Sequence, residues 1–482
     1  MSSENHLHPA AMLIGAIKTV RRWISGLAIP GVVLLMSQGF SLRTVTLFLL
    51  GLLIVAALAA LWGFLSWRAT TYAITSNSFR LRRGVFQKSE RTIPLEHVQS
   101  VDTVQGVIQR VFGVYEVRIE TAGGGVSEPD ASLSALDRDA ARALRREIEG
   151  SQKEESEEAA GPTILRRLST RELLLAGATS GQIGVTFSVL AVGSQFLDDF
   201  LSEDFVRRLV ETLAPNWLMV VLILVPAGVL LAWLLAIAGT VLAYADFTLS
   251  REGDFLYIKR GLLERREATI PLARIQAVRI SEGLLRQPFG LASLRVESAG
   301  YGEDAGVSAT LFPLLPRDEV QEFLAVAAPD FAVDTALKPL PRRALRRYVF
   351  RATIPALLAF VAALVCFIVL GSALWFLSLL LIPPSAAFGS LRYRDAGWAL
   401  EGDHLMVRHR GLGRKTSVAP RRTLQSRSVA SSPFQRRLKL ATFVAEVASG
   451  SGGSTLRVKD LDAGAVEALA DDLGPGARLE GA

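Results

Sequence analysis

Long apolar stretches and polar segments follow one another along this chain of 482 residues. A bilayer crossing needs about 20 apolar residues, so a charge-free stretch of that length predicts a transmembrane helix. Such stretches occur at 23–40, 44–67, 173–197, 217–244 and 352–391. The last stretch is long enough for two helices, with Gly371 and Ser372 near its middle. The pattern therefore predicts six transmembrane helices in three hairpin pairs.

One short polar pattern recurs after each predicted pair of helices. Residues 83–99 read RGVFQKSERTIPLEHVQ, and residues 260–276 read RGLLERREATIPLARIQ. A third, weaker copy starts near Trp398 and contains RGLGRKTSVAPRRTLQ. The copies can be aligned on the turn glycines Gly84, Gly261 and Gly411. Because the spacing between copies exceeds that of solenoid repeats, the sequence predicts three duplicated domains, each with its own core.

Within each copy, apolar and polar residues alternate with a period of two. The segments that begin at Tyr72 and Phe79 are examples, and such alternation is typical of half-buried antiparallel strands. Each copy then closes with a helical segment, which begins near Asp137, Pro316 or Asp462 and has proline or acidic residues in its first turn. The sequence thus predicts six transmembrane α-helices and three β-rich domains, each a small curled sheet capped by a C-terminal helix.

The shared prolines and glutamines of the copies have structural explanations. We expect Pro94 and Pro271 to end strands, because proline cannot donate a backbone hydrogen bond. We expect Gln99 and Gln276 to bond backbone groups inside the domains. The repeated prolines and glutamines are therefore predicted to be structural.

The boundaries of these parts follow from the change between apolar and polar composition. Residues 149–162 read EGSQKEESEEAAGP and are too polar to be buried, so they are predicted to be a linker. The helix pairs are assigned to 1–68, 171–244 and 336–391, the domains to 69–150, 245–335 and 392–482, and the acidic linker with its basic flank to 151–170.

The positive charges lie beside the predicted spans and indicate an orientation. Arginines follow the second span and precede the third and the fifth, whereas the loop 198–216 between the third and fourth spans is net acidic. Because basic residues mark cytoplasmic loops, we expect a multi-pass protein of the bacterial plasma membrane with both termini and all three domains in the cytoplasm. The formal net charge of +7 is explained by these basic flanks. We expect membrane lipids as partners and do not expect nucleic acid.

The repeated motifs resemble a known family. The turn Arg-Gly, the Ile-Pro-Leu motif, the sequence QGVIQRVFG at 105–113 and the following strand with Ala-Gly-Gly resemble the bacterial pleckstrin-homology (PH) domains, family bPH2, of YdbS/YdbT-like membrane proteins. Leu7-His8-Pro9 is similar to the start of that family. The resemblance covers nearly the whole chain, as in the larger, three-domain, YdbT-like members. It departs in copy three, where Ser431, Ser432 and Lys439 replace Gln105, Gly106 and Gly113, and this puts the function of the third domain in doubt.

The resemblance implies a PH fold, which is a seven-stranded half-open barrel with a C-terminal helix, and no known catalytic activity. It also implies a smaller single-domain PH-like membrane protein as a partner. A role in envelope homeostasis or in resistance to membrane-active peptides is expected on the same ground.

The basic hairpin of each copy is the candidate site, and two interpretations stay open. Positive charge beside a membrane helix can serve orientation alone. Alternatively, basic residues at fixed positions around the turn bind anionic headgroups or an acidic partner, with about 1 kcal/mol for each charge near an acidic leaflet. The candidates are Arg80, Arg82, Arg83, Lys88, Lys259, Arg260, Arg265, Arg266, Arg410 and Lys415.

The remaining residues do not suggest catalysis. No nucleophile with a base, paired carboxylate or metal-ligand spacing is evident in the sequence, so no cofactor, metal or enzymatic activity is expected. Cys366 lies in an apolar stretch and is expected to act as a small hydrophobe. Charges are missing from the predicted spans, which disfavours an ion pathway. The sequence therefore favours a membrane scaffold that presents PH-like domains, with a transporter or a component of a transport complex as the alternative.

Overall fold

The computed structural model describes residues 5–20, 23, 42–75, 77–121, 131–150, 162–181, 217–298, 310–370, 378–448, 454–473 and 477–480. The helices within them are α1 (Ala10–Val20), α2 (Leu42–Arg68), α3 (Val107–Val111), α4 (Arg138–Gly150), α5 (Thr170–Ala178), α6 (Trp217–Tyr244), α7 (Val320–Ala327), α8 (Ala344–Leu370), α9 (Ile382–Asp395), α10 (Pro433–Arg437) and α11 (Ala463–Asp472).

Three of these helices are long and apolar enough to cross a membrane. Their apolar parts are Thr46–Arg68 in α2, Val225–Tyr244 in α6 and Ala344–Val365 in α8. These confirm the predicted spans 44–67 and 217–244 and the first half of 352–391. The predicted span 23–40 lies outside the described residues except for Trp23, and the spans around 173–197 and in the second half of 352–391 are described only in part.

Close contacts join the helices of each pair. A Cβ on Gly63 of α2 would lie 2.4 Å from the carbonyl oxygen of Met12 in α1, and a Cβ on Gly389 of α9 would lie 2.7 Å from the Cα of Val349 in α8. In the middle pair, the indole Nε1 of Trp233 donates to the carbonyl oxygen of Ala178 at the end of α5 (2.9 Å). Close backbone approach through small residues is how membrane helices pack, so the described ends of all three pairs support the predicted hairpins.

The strands of the described residues fall into three sets of seven, one for each copy. Copy one has β1 (Asn5–His6), β2 (Thr71–Thr75), β3 (Ser78–Arg83), β4 (Ser89–Pro94), β5 (Val98–Gln105), β6 (Tyr115–Thr121) and β7 (Ala131–Leu136). Copy two has β8 (Thr163–Arg167), β9 (Thr248–Glu252), β10 (Phe255–Arg260), β11 (Arg265–Pro271), β12 (Ile275–Glu282), β13 (Leu291–Ser298) and β14 (Thr310–Pro316). Copy three has β15 (Lys338–Pro339), β16 (Gly397–Glu401), β17 (His404–Arg410), β18 (Arg414–Pro420), β19 (Leu424–Ala430), β20 (Leu440–Val447) and β21 (Ser454–Asp462), and β22 (Ala477–Glu480) follows at the C-terminus.

In copies one and three, the first strand precedes the helix pair in the sequence, and the other strands follow it. In copy one, Asn5 pairs with Tyr72 and His6 with Thr71. In copy three, Lys338 pairs with Trp398 and Pro339 with Gly397. The helices are therefore inserted between the first and second strands of these sheets, whereas the sequence placed the domains entirely after the helices, from residues 69 and 392. The domain limits themselves stay predictions.

Copies one and three each bury a hydrophobic core. The core of copy one takes residues from both of its sheets and from α4, including Phe79, Ile119 and Leu144, and the N-terminal segment adds Leu7 and Ile14. The core of copy three includes Leu405, Phe443 and Leu469. The predicted independent cores are thus present in both copies, with the C-terminal helix closing each one.

The copies are nevertheless joined through their strands. Strand β5 of copy one pairs with β11 of copy two, which gives the continuous order β7-β6-β5-β11-β10-β9. Strand β12 of copy two pairs with β18 of copy three, in the order β14-β13-β12-β18-β17-β16-β15. We call these contacts the first joint and the second joint. The first joint lies within one compact unit (Met1–Ile164 and Asp246–Pro271), and the second lies within the other (Leu165–Ala245 and Leu272–Ala482).

The two joints have the same register. In the first, Arg265, the first residue of β11, faces Gln105, the last residue of β5. In the second, Arg414, the first residue of β18, faces Glu282, the last residue of β12. Both pairings are antiparallel. The duplicated unit therefore carries the strand edges that connect it to its neighbour.

Candidate anion-binding site

The basic hairpin of copy one presents its charges to solvent. Arg80 and Arg82 lie on one face of β3, and both bind Glu90 on β4, at 3.3 and 3.0 Å. Arg83 and Lys88 are exposed at the turn. The structure thus brings two of the four candidates together around one carboxylate, which offsets part of their charge, and leaves the other two exposed at the turn.

The hairpin of copy two is more strongly compensated. Lys259 binds Glu267 at 3.2 Å, and Arg266 binds Glu264 at 2.7 Å. Arg265 is exposed but lies at the edge of the first joint. The side chain of Arg260 is buried, so Arg260 does not contribute to an exposed patch.

Copy three departs from the sequence alignment by one residue. The pair Phe255 and Pro271 in β10 and β11 corresponds to His404 and Pro420 in β17 and β18. This register makes Arg414, and not Lys415, the equivalent of Arg265. The glycine at 411 marks a turn but not its register, because copy three extends its hairpin by the pair Arg410 and Arg414.

The basic residues of this third hairpin are held within the protein. Arg410 binds Asp395 and donates to the side-chain oxygen of Gln287. Arg414 binds both carboxylate oxygens of Glu282. Lys415 is partly accessible to solvent, and its partial burial lowers its pKa, as do the neighbouring Arg279 and Arg295. Arg410 is therefore a structural residue, and Lys415 lies in an unbalanced positive field.

A larger basic site lies in copy three, away from the hairpin turn. Two cavities of about 790 and 450 Å³ share the side chains of Arg351 on α8 and Arg457 and Lys459 on β21. We call the two cavities together the basin. The larger cavity is also lined by Arg347, Gln425, Ser426, Arg427, Ser428, Gln435, Thr442 and Glu446, and the smaller by Tyr348, Arg392, Arg408, His409, Arg410 and Thr455.

Secondary structure explains how these cations meet. Arg457 and Lys459 are two residues apart on a strand, so they lie on the same face of the sheet. Arg347 and Arg351 are four residues apart on α8, so they lie on one side of the helix. The rings of Tyr348 on α8 and Tyr393 near the end of α9 pack edge to face, with centroids 6.1 Å apart. The start of α8 and the end of α9 thus meet beside the domain.

Asp460 fixes the arginines of α8 to the domain. It is completely buried, and its carboxylate binds Arg347 at 2.9 Å, Arg351, and the side-chain amide of Gln435 at 2.8 Å. The φ of Asp460 is 60°, in a left-handed conformation that Asp tolerates better than most residues. The carboxylate therefore positions one wall of the basin.

The charge of the basin is incompletely balanced. In the described part of the chain, no acidic side chain binds Arg457 or Lys459, whereas Asp460 is shared between two arginines. Burial lowers the pKa of Lys459, and Arg351, Arg457 and Arg392 lower it further. Burial also lowers the pKa of His409, together with Lys415 and Arg279. Such a field favours an anion with several acceptor oxygens, which could bond the arginines, serines and threonines that line the cavities.

Sequence reasoning missed the basin for a specific reason. Arg347 lies in the run that was explained by membrane orientation, and Arg457 and Lys459 lie far from the turn glycine. The available signal was the alternating R-V-K-D at 457–460, which places two cations on one face of a strand in a copy that lacks the usual glycines.

The comparisons with known proteins agree with this architecture. The family model for the bacterial PH domain matches residues 12–152, 209–328 and 352–476. A curated relative, the UPF0699 transmembrane protein YdbT of Bacillus subtilis (strain 168), is 32% identical over an alignment of 481 residues that covers 96% of each chain. No solved structure matches. The chain therefore belongs to the bacterial PH domain family, as a YdbT-like membrane protein with three matches to the domain.

Proposed function

We propose that this protein is an integral membrane scaffold whose basin in copy three binds the phosphate group of anionic lipids. The supporting observation is the convergence of Arg351, Arg457 and Lys459 on two adjoining cavities. The proposal assigns binding to this site and no catalysis. It also gives a role to the third domain, which the sequence motifs had put in doubt.

The position of the basin favours lipid as the source of the anion. Arg351 lies on α8 within the apolar part that is long enough to cross a membrane, and Arg392 lies in the last turn of α9. Basic residues at the ends of membrane helices lie at headgroup depth. Each basic residue near an anionic surface contributes about 1 kcal/mol, so the basin can collect lipids with negative headgroups.

The proposed topology follows the positive charges beside the helices. Six helices in three pairs, with the domains and both termini in the cytoplasm, place the basin on the leaflet that the positive-inside rule indicates. The hairpin of copy one, with Arg83 and Lys88 exposed, adds a weaker contact to the same surface. Linked weak contacts reinforce one another through a high effective concentration. The scaffold would therefore gather anionic lipid around itself.

The test compares two variants of equal charge. The full-length chain is purified in detergent, and bound phosphatidylglycerol and phosphatidylcholine are counted by native mass spectrometry. Arg457→Gln with Lys459→Gln removes two charges from the basin, and Arg436→Gln with Arg437→Gln removes two exposed charges from α10 as the control. We expect the basin variant to lose most of its preference for phosphatidylglycerol and the control to keep it.

Competition identifies the source of the phosphate group. Glycerol phosphate added in millimolar excess should displace little lipid if the acyl chains contribute to binding. Displacement by glycerol phosphate would assign the basin to a soluble phosphate compound. Equal losses in the basin variant and the control would contradict the proposal, because only the total charge would then matter.

A further inference from the structure

The two joints use two kinds of strand, and one strand of each kind takes part in neither joint. Each joint pairs the fourth strand of one copy (β11 or β18) with the fifth strand of the preceding copy (β5 or β12). In copy one, the strand equivalent to β11 is β4, which is the outermost strand of the sheet β1-β2-β3-β4. In copy three, the strand equivalent to β5 is β19, which pairs with the C-terminal strand β22.

Strand β4 has the features of a strand that forms a joint. It ends at Pro94, as β11 ends at Pro271 and β18 at Pro420. The ion pair between Arg82 and Glu90 repeats the pair between Lys259 and Glu267 at the same positions of the hairpin. Residues 89–92 are all exposed. The edge of β4 is thus built like that of β11, and in the described part of the chain it has no neighbouring strand beyond β3.

The charges on β4 do not show that this edge is protected from pairing with another strand. Charged residues often shield an edge strand from unwanted pairing. However, β11 carries Arg265, Arg266 and Glu267 over the positions that pair with β5. Because a strand of this composition is paired in the first joint, the charges of β4 are compatible with pairing.

We infer that β4 is a docking edge for a second copy of this chain, whose β19 pairs with it in the antiparallel register of the two joints. Transfer of that register places Glu90 opposite Val429 and Thr92 opposite Arg427. The contact would be a third joint, made between molecules.

The charges of the two ends favour the second copy as the occupant. In the first joint, Arg145 of the basic helix α4 reaches Glu267 of β11 at 3.6 Å. In the proposed joint, α11 takes the place of α4, and it carries the exposed acidic residues Glu467, Asp471 and Asp472. The hairpin of copy one, which would face α11 of the second molecule, carries the exposed cations Arg80, Arg82, Arg83 and Lys88. The complementary charge of these surfaces favours this orientation of two molecules.

Strand β22 occupies the edge that the second molecule needs. It pairs with β19 in parallel, from Arg427 with Ala477 to Ala430 with Glu480, where both joints are antiparallel. Parallel pairing is slightly less stable per residue, and β22 is only a four-residue tail segment. The C-terminal tail therefore acts as a replaceable cover. The contact is head-to-tail, because each molecule offers one edge of each kind.

Cysteine cross-linking tests the register between molecules. In a Cys366→Ser background, Glu90→Cys is placed in a chain with one tag and Val429→Cys in a chain with another, so that a link between the tags can form only between molecules. Both chains are full length and are reconstituted together in lipid bilayers. A second pair of chains ends at Leu473 and lacks the tail. A short bis-maleimide reagent is used for linking.

The structure supplies matched controls. Thr103→Cys with Glu267→Cys in one chain is the equivalent pair of the first joint and calibrates the reagent. Glu90→Cys with Ser426→Cys is out of register. We expect a mixed dimer from the pair at 90 and 429 and little from the pair at 90 and 426. Removal of the tail should increase the mixed dimer several-fold, and a link seen only without the tail would equally support the inference.

Two results would overturn the inference. One is a yield from tail-free chains no greater than that of the out-of-register pair, while the Thr103 and Glu267 control links fully. The other, seen when the same chains are linked in cell membranes, is a link from Glu90→Cys to a different membrane protein, such as a separate PH-domain chain, with none to Val429→Cys. Neither result depends on lipid binding by the basin, so the two proposals can fail separately.

Discussion

The first and second joints share a backbone arrangement and differ in the side chains that support it. In the first joint, Arg145 of α4 reaches Thr269 and Glu267 and lies over the ring of Tyr257, 4.9 Å from its centroid. In the second, Arg414 and Glu282 form a two-bond ion pair across the strands. The strand register is therefore the conserved element of the duplication, and each joint has its own polar support.

The largest expected effect is at the ion pair of the second joint. The side chain of Glu282 is 5% exposed and that of Arg414 is 17% exposed. Glu282→Ala leaves the guanidinium of Arg414 without its main partner, and breaking a buried pair costs about 3 kcal/mol or more. Hydrogen exchange should show about 100-fold lower protection in β12 and β18.

The control for this prediction uses both partners. Glu282→Leu combined with Arg414→Met should restore most of the protection, because apolar replacement of a buried pair is often neutral or stabilising. If Glu282→Ala left the exchange of β18 unchanged, backbone pairing alone would hold the second joint.

An intermediate effect is expected at Arg145 in the first joint. Arg145→Ala removes a hydrogen bond, an ion pair and a cation–π contact, which together are worth about 1 to 2 kcal/mol in a partly exposed position. Exchange should accelerate in β11 and stay unchanged in β18. The exposed Arg142 of the same helix provides the matched control, since Arg142→Ala should leave β11 as it is. An equal response to the two substitutions would remove Arg145 from the account of the joint.

The smallest expected change in melting temperature has opposite signs at two equivalent positions. Lys415 of β18 corresponds to Arg266 of β11 by the hairpin register. Burial and the neighbouring arginines lower the pKa of Lys415, so its charge opposes folding at neutral pH. Arg266 instead binds Glu264 at 2.7 Å. Lys415→Met should therefore raise the melting temperature slightly, and Arg266→Met should lower it slightly or leave it unchanged.

The dependence on pH gives the sign for Lys415. Below the pKa of the folded state, the folded and unfolded chains both carry the charge, and the folded chain bears its full unfavourable effect. As the pH rises through the lowered pKa, the folded chain releases the proton first, and the unmodified protein gains stability. The advantage of Lys415→Met should thus disappear above about pH 10.5, the ordinary pKa of lysine. A constant advantage up to that pH would assign the effect to packing instead.

The sequence predicts the local elements of these domains well, because they depend on neighbouring residues. The alternation around Phe79 is found as β3, and Pro94 and Pro271 end their strands as expected. The side-chain amide of Gln276 bonds the carbonyl oxygen of Arg274 at 3.3 Å, as predicted, while the side chain of Gln99 lies outside the described residues. Alternation with a period of two is a local property and is readable without a structure.

The joints and the basin could not be predicted in the same way. Alternation shows which face of β5 is buried, but it does not show which distant strand pairs with its edge. Arg260 has the same sequence context as Arg83, yet it is buried, while Arg83 is exposed. The basin depends on Asp460 meeting two arginines of α8, more than a hundred residues earlier in the chain. A strand of two residues, such as β1, is too short to show any period.

The position of β1 has a consequence for the order of events during synthesis. Trp67, near the end of α2, donates its indole proton to the carbonyl oxygen of Leu7 at 2.8 Å, and the amide of His8 bonds the carbonyl oxygen of Ala135. Residues 5–8 thus gain these partners only after α2 has left the ribosome. Since domains generally fold as units while the chain emerges, the sheet of the first domain can close only after α2 has been synthesised. A chain that stopped before β2 would therefore keep an unfinished sheet and an open core.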